Sequence, residues 1–161
     1  MGTRGLCGFR VDNKDYLAYN HFDSYPEGLG RDVVNFLKDK NLDVLKEQVR
    51  SLVLVNEDDR PTLGQIEKCR EIKTIDLGVS SGVTSDWYCL LRKAQGDLQA
   101  YLDLGFMPDN KEFLENGLFC EWAYQIDLDK ETLSVFKAGN LIADLDLTIL
   151  NENQLLGLEE L

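Results

Sequence analysis

Strand-like patterning is confined to two stretches of this chain, residues 4–22 and 118–150, and the residues between them read as helix and loop. Nothing else constrains the fold as much, because a lone two-stranded hairpin is marginal in water and the two strand-rich stretches gain most by sharing one sheet. "RGLCGFRV", residues 4–11, has strand character, "DNK" at 12–14 is a turn signal, and "DYLAYNHF", residues 15–22, returns as a second strand. Pro26 then removes a ladder donor, and Gly28 and Gly30 permit a tight turn. The second hairpin is written by "LFCEWAYQIDL" and "TLSVFKA", joined through "DKE". "NLIADLDLTIL" alternates apolar and acidic residues, as a half-exposed fifth strand does.

In the middle, Leu29, Val33, Phe36 and Leu37 fall on one helical stripe, and a second helix is expected over about 42–54 on Leu42, Leu45, Val49, Leu52 and Val53. Pro61, Thr62 and Gln65 carry the spacing of a capping box at a third helix start. A long helix from Asp86 to about Leu104, capped by Thr84 or Ser85, follows the loop "LGVSSGVTSD", with Gly96 weakening its middle. A short helix is expected at 110–115, and a short helix or frayed acidic tail over 150–161. The expectation is one α+β domain over residues 1–161: an antiparallel sheet from the two hairpins and a fifth strand, with helices of the central segment on a face.

The charge limits the partners. Twenty-nine acidic residues against 17 basic ones give −12 and a pI near 4.4. Binding nucleic acid through phosphates needs a basic surface, and no Lys/Arg cluster is written here. An acidic surface favours solubility, a basic protein partner or mimicry of nucleic-acid charge. Cys7, Cys69, Cys89 and Cys120 form no C-x-x-C pair, so no zinc or redox signature is present, and with no long apolar run the reading is a reducing cytoplasm and no membrane span. "MGTRGL" departs from a myristoylation signal at Leu6, and Met1–Gly2–Thr3 lacks the exposed Cys, Ser or Thr of an N-terminal nucleophile.

The candidate chemistry centres on "AYNHFDSYPEGLG", which holds His21, the one histidine of the chain. His21 and Asp23 share a face if the strand continues through them, and a carboxylate beside an imidazole orients a general base. The competing reading is a turn-forming Asp and a hydrogen-bonding His at a strand end. Asn20 belongs to the same polar group, and Tyr25 supplies a ring for stacking. The turn at Gly28 runs into a helix, where free N–H groups and the dipole hold anions, though Glu27 competes for that end. Arg4 offers a guanidinium to an anion, against the alternative of a surface ion pair. Glu121 lies among aromatic neighbours on an expected central strand: with the hairpins adjacent, Arg4, His21, Asp23 and Glu121 share one pocket, and on an edge strand Glu121 faces water. The pairs Asp127/Asp129 and Asp144/Asp146 suit either a hard cation or ordinary turn and surface chemistry. No metal site and no cofactor are assigned.

"MGTRG" at Met1–Gly5 and Tyr19, His21, Asp23, Tyr25, Pro26, Gly28, Leu29 and Gly30 resemble an uncharacterised phage and bacterial family with the pattern Y-x-H-x-D-x-Y-P-x-G-L-G, and Cys120–Asp129 resemble it too. The family transfers no catalytic residue. The resemblance implies a small cytoplasmic accessory protein of phage or mobile-element type, acting against host machinery by binding a protein or capturing or degrading a small signal. The leading expectation is a protein that sequesters a small anionic, nucleotide-like ligand near Arg4, His21 and Tyr25. The alternatives are a hydrolase with His21 as base and Asp23 as its orienter, and an acidic inhibitor of a basic host protein.

Overall fold

A computed structural model describes residues 2–161 and has the α+β architecture expected. The first hairpin is β1 (Gly5–Val11) and β2 (Lys14–Asn20), antiparallel around Asp12 and Asn13. Both turn residues take left-handed backbone, φ 54° and 60°, which is the two-residue turn whose twist matches the flanking strands. The second hairpin is β5 (Trp122–Asp127) and β6 (Thr132–Lys137), extended by β7 (Asn140–Asp146).

The five strands form one sheet in the order β2-β1-β5-β6-β7. Each hairpin is antiparallel, but they join through a parallel pair, with Gly5 opposite Trp122 and Arg10 opposite Asp127. A parallel neighbour requires a crossover, and the helical middle of the chain supplies it. Cys7, Phe9 and Val11 of β1 and Tyr124 and Ile126 of β5 face the main core with the helices. The opposite face carries a smaller cluster, Leu6, Leu17, Cys120 and Ala123, partly covered by Phe113 and Leu114.

The crossover begins with one π-helical turn, Pro26–Gly30, which continues into α1 (Arg31–Leu37). Next come α2 (Leu42–Arg50) and α3 (Leu63–Ile72), the latter opening on the expected capping box of Thr62 and Gln65. Two helical expectations change. The second helix stops at Arg50, and Val53–Val55 is a strand, β3, that pairs in parallel with a strand β4 (Phe106–Pro108). The long helix over 86–104 is two short ones, α4 (Trp87–Leu91) and α5 (Leu98–Leu104). Between them the chain tightens over Arg92–Ala94, and Gly96 takes φ +79°, a conformation no helix interior holds. The cap of α4 is Asp86 rather than Thr84 or Ser85: its Oδ1 accepts from the Tyr88 N–H at 2.9 Å. The short helix expected at 110–115 is a 3-10 helix over Lys111–Glu115.

The last residues are not frayed. They fold into three 3-10 turns that bury Leu155 and Leu158 in the main core, and Glu152 meets Lys38 at 3.3 Å. The aspartate pairs serve turns and links. Asp127 Oδ1 accepts from the Asp129 and Lys130 N–H groups, and Asp129 accepts from the Asp12 and Asn13 N–H groups. Asp144 accepts from Ser134 Oγ, and Asp146 caps the turn at Thr148. The four cysteines are buried free thiols, and burial pushes Cys7 up to about 12. Among the described residues no helix is long and apolar enough to cross a membrane.

Candidate functional site

The free edge of β2 does not face open solvent. Asn110, just past β4, donates its N–H to the Leu17 carbonyl at 2.9 Å and accepts from the Tyr19 N–H through Oδ1 at 2.9 Å. A cleft of about 700 Å³ lies between the 108–116 segment, α4 and Tyr101 of α5. A volume of this order suits a small-molecule ligand. Tyr19, Trp87, Tyr88, Tyr101 and Phe113 line it with rings, and His21, Gln95, Glu57, Asp109 and Glu112 bring polar atoms.

At one end Tyr19 and His21 form a pair, with the Tyr19 hydroxyl 2.8 Å from His21 Nδ1. Burial raises the Tyr19 phenol, while the Arg4 guanidinium beside its oxygen opposes the rise. Tyr19 is the donor to Nδ1 in the Nε2–H tautomer of the neutral imidazole. The ring is fixed further by its backbone N–H, which donates to Gln95 Oε1 at 3.0 Å, and by an edge contact with Phe22. Arg4 lies over Phe119 and Arg92 over Phe22. Among the described residues neither guanidinium has a carboxylate within ion-pair distance, although acidic residues dominate the chain.

His21 therefore sits in a locally cationic rim, and burial first, then Arg92 and Arg4, hold its pKa below the ordinary imidazole value. The carbon-bound ring protons of this single histidine are expected to titrate in an NMR pH series with a midpoint below about 6.5. Arg92→Ala should move that midpoint upward, and a wild-type midpoint at or above 6.5 contradicts the arrangement. The folded state binds this proton more weakly than the unfolded chain, so the linkage removes stability as the pH falls below 6.5.

At the other end the lining is acidic. Glu57 Oε1 accepts from Asn110 Nδ2, Asp109 pairs with Lys111 at 2.6 Å, and Glu112 has no ion-pair partner among the described residues. On the floor, the Tyr101 hydroxyl is fully buried and has no hydrogen-bond partner among the described residues. An unsatisfied buried hydroxyl costs about 1–3 kcal/mol. Burial first, then the acidic neighbours Cys7, Glu57 and Asp97, push this phenol well above its ordinary range, so it remains a donor.

Of the residues singled out from the sequence, His21 lines this cleft and Arg4 stands beside it. The others lie elsewhere. β2 ends at Asn20, so strand alternation does not carry His21 and Asp23 to one face. Asp23 is exposed with φ 54°, and its carbonyl accepts from the Leu29 N–H at 2.8 Å. Asn20 is buried and donates through Nδ2 to the Phe22 carbonyl and to Ser24 Oγ, fixing the loop. Gly28 is required by packing: a Cβ there would lie 2.2 Å from the Asp23 carbonyl oxygen. The N–H groups of Gly28, Leu29 and Gly30 all donate to backbone carbonyls, so the turn holds out no anion seat. Glu121 does meet Arg4, but through backbone: its Oε2 accepts from the Arg4 N–H at 3.2 Å. Tyr25 and Glu121 line a different depression, with Trp122 and Lys137.

Trp87 and Tyr101 are apolar positions of the one long helix expected from the sequence, which hid them as site residues, and Tyr88 carried no separate signal. The signal available was Gly96, whose φ of +79° breaks that helix. Comparison with protein-family models, with curated proteins and with solved structures gives no match to this chain.

Proposed function

We propose that this protein binds, and thereby sequesters, a small ligand that joins a ring system to an anionic group, as a nucleotide does. The carrying observation is the cleft's lining of five rings, the acidic Glu57, Asp109 and Glu112, and His21, with Arg4 and Arg92 standing beside His21 and without a carboxylate partner among the described residues. Base–aromatic contact is worth about 1–3 kcal/mol per base. An anion at the rim would accept from His21 Nε2–H and from the Arg4 and Arg92 guanidiniums, which exchange few protein contacts to meet it. Sequestration fits the site better than hydrolysis, because Tyr19 occupies Nδ1 of His21 and no carboxylate orients the ring. The resemblance of Met1–Gly5 and of Tyr19–Gly30 to a phage and bacterial family is in keeping with this reading, since it implies an accessory protein that acts on host machinery by binding a protein or by capturing or degrading a small signal.

The test is thermal denaturation with a panel of nucleoside monophosphates and cyclic nucleotides. At about a hundred times Kd a ligand adds ~2.7 kcal/mol, a Tm rise of about 5–10 °C for a chain of this size. The double variant Arg4→Ala/Arg92→Ala should keep the unliganded Tm within a few degrees and weaken binding roughly tenfold or more. No rise with any member of the panel overturns the reading, and equal binding of the uncharged nucleosides removes its anionic half.

A further inference from the structure

Resting on the reading above, we propose that Tyr101 and Glu57 select the ring, and that the ring they take is of guanine type, with a carbonyl beside adjacent N–H donors. Two observations independent of the rim carry this. The first is the Tyr101 hydroxyl, fully buried on a residue that lines the cleft, with no partner among the described residues. A group so placed donates to whatever acceptor seats against it, and burial first, then the neighbouring acidic groups, keeps it protonated. The second is the wall beside it, where Glu57 and Glu112 are acceptor-only groups. Glu57 lines the cleft and is held by Asn110 Nδ2 on Oε1, and with two lone-pair sites on each carboxylate oxygen it keeps acceptor capacity beyond that one bond.

The site thus offers one donor and several acceptors to a ring edge. Guanine answers with O6 as acceptor, and N1–H and the 2-amino group as adjacent donors that a carboxylate accepts bidentately. Hypoxanthine keeps the carbonyl and N1–H but loses the amino donors. Adenine presents a ring nitrogen and a single amino group, which leaves the second carboxylate oxygen without a partner. A site built to hydrogen-bond a group discriminates strongly against the analogue that lacks it, because its own buried polar atoms are left unpaired.

Isothermal titration of the full chain with GMP, IMP and AMP tests this. The expected order is GMP tightest, IMP weaker by roughly tenfold, and AMP weaker again. Tyr101→Phe should bind GMP roughly five- to tenfold more weakly while its unliganded Tm stays level or rises, since the removed hydroxyl made no bond. Glu57→Gln should weaken GMP by roughly tenfold or more and narrow the gap to AMP, because an amide presents one acceptor and one donor. Equal binding of the three nucleotides, or wild-type GMP affinity in Tyr101→Phe, overturns the selectivity and leaves the nucleotide reading standing. Binding of none of the three overturns the selectivity, and the nucleotide reading falls with it when the wider panel also gives no thermal shift.

Discussion

Gly8→Ala is expected to lower the unfolding free energy by about 3 kcal/mol, the upper range for forcing one extra carbon into a packed interior. A Cβ at this position would lie 1.7 Å from the Tyr16 carbonyl oxygen and 2.8 Å from its carbon. Both atoms belong to the backbone of β2, so no rotamer change relieves the overlap. The hairpin must separate at Gly8 opposite Leu17, breaking ladder bonds beside the Leu6–Leu17 cluster. Gly64→Ala is the matched control. Its Cβ meets nothing nearer than Thr62 Oγ1 at 3.9 Å, and it lies in the first turn of α3, where alanine gains up to about 1 kcal/mol over glycine. Chemical denaturation of the two variants should give opposite signs. A Gly8→Ala protein as stable as the wild type would mean that the β1–β2 spacing is looser than described.

The double variant Leu155→Ala/Leu158→Ala is expected to cost more, about 4 kcal/mol, from two leucines at the low end of the range for core truncation. Leu155 is 3% exposed and Leu158 6% exposed, and both pack in the main cluster rather than on the surface. The pair is close in sequence, so the two losses need not add, and each single variant should be measured beside the double. A natural domain holds about 5–15 kcal/mol in total, so the loss is large enough to show as a fall in the urea midpoint at unchanged m. A double variant within about 1 kcal/mol of wild type would mean that these last turns are dispensable to the core.

That second expectation also marks where the sequence misleads. "NENQLLGLEEL" is acidic and shows no helical stripe, because its buried leucines sit in separate 3-10 turns and not on one helix face. The hairpins were legible because local chemistry specifies them: Asp12 and Asn13 tolerate the left-handed backbone their turn demands. The capping box at Thr62 was legible for the same reason. The short pair β3–β4 was not, since a three-residue parallel pairing depends on residues some fifty positions away and leaves no local pattern. At the site, the sequence points to His21, which lines the cleft, but strand alternation extended past the real strand end at Asn20 pairs it with Asp23. The neighbour on the other side, Tyr19, holds the ring instead. The acidic wall and the floor come from Glu57, Tyr101 and the 108–116 segment, brought together only by tertiary packing.

The parallel junction has a consequence in time. β1 carries a full complement of ladder groups on the side that β5 will occupy, and Arg4 and Glu121, which meet there, are 117 residues apart. At synthesis rates of about 5–20 residues per second, roughly 5–20 s pass between completion of the first hairpin at Asn20 and emergence of its partner strand at Trp122–Asp127. Through that interval the apolar edge of β1 is open to any other unpaired strand. Growth of this protein at high expression should therefore be limited by association of half-made chains, and a slower, colder induction lengthens that exposure even as it weakens hydrophobic association.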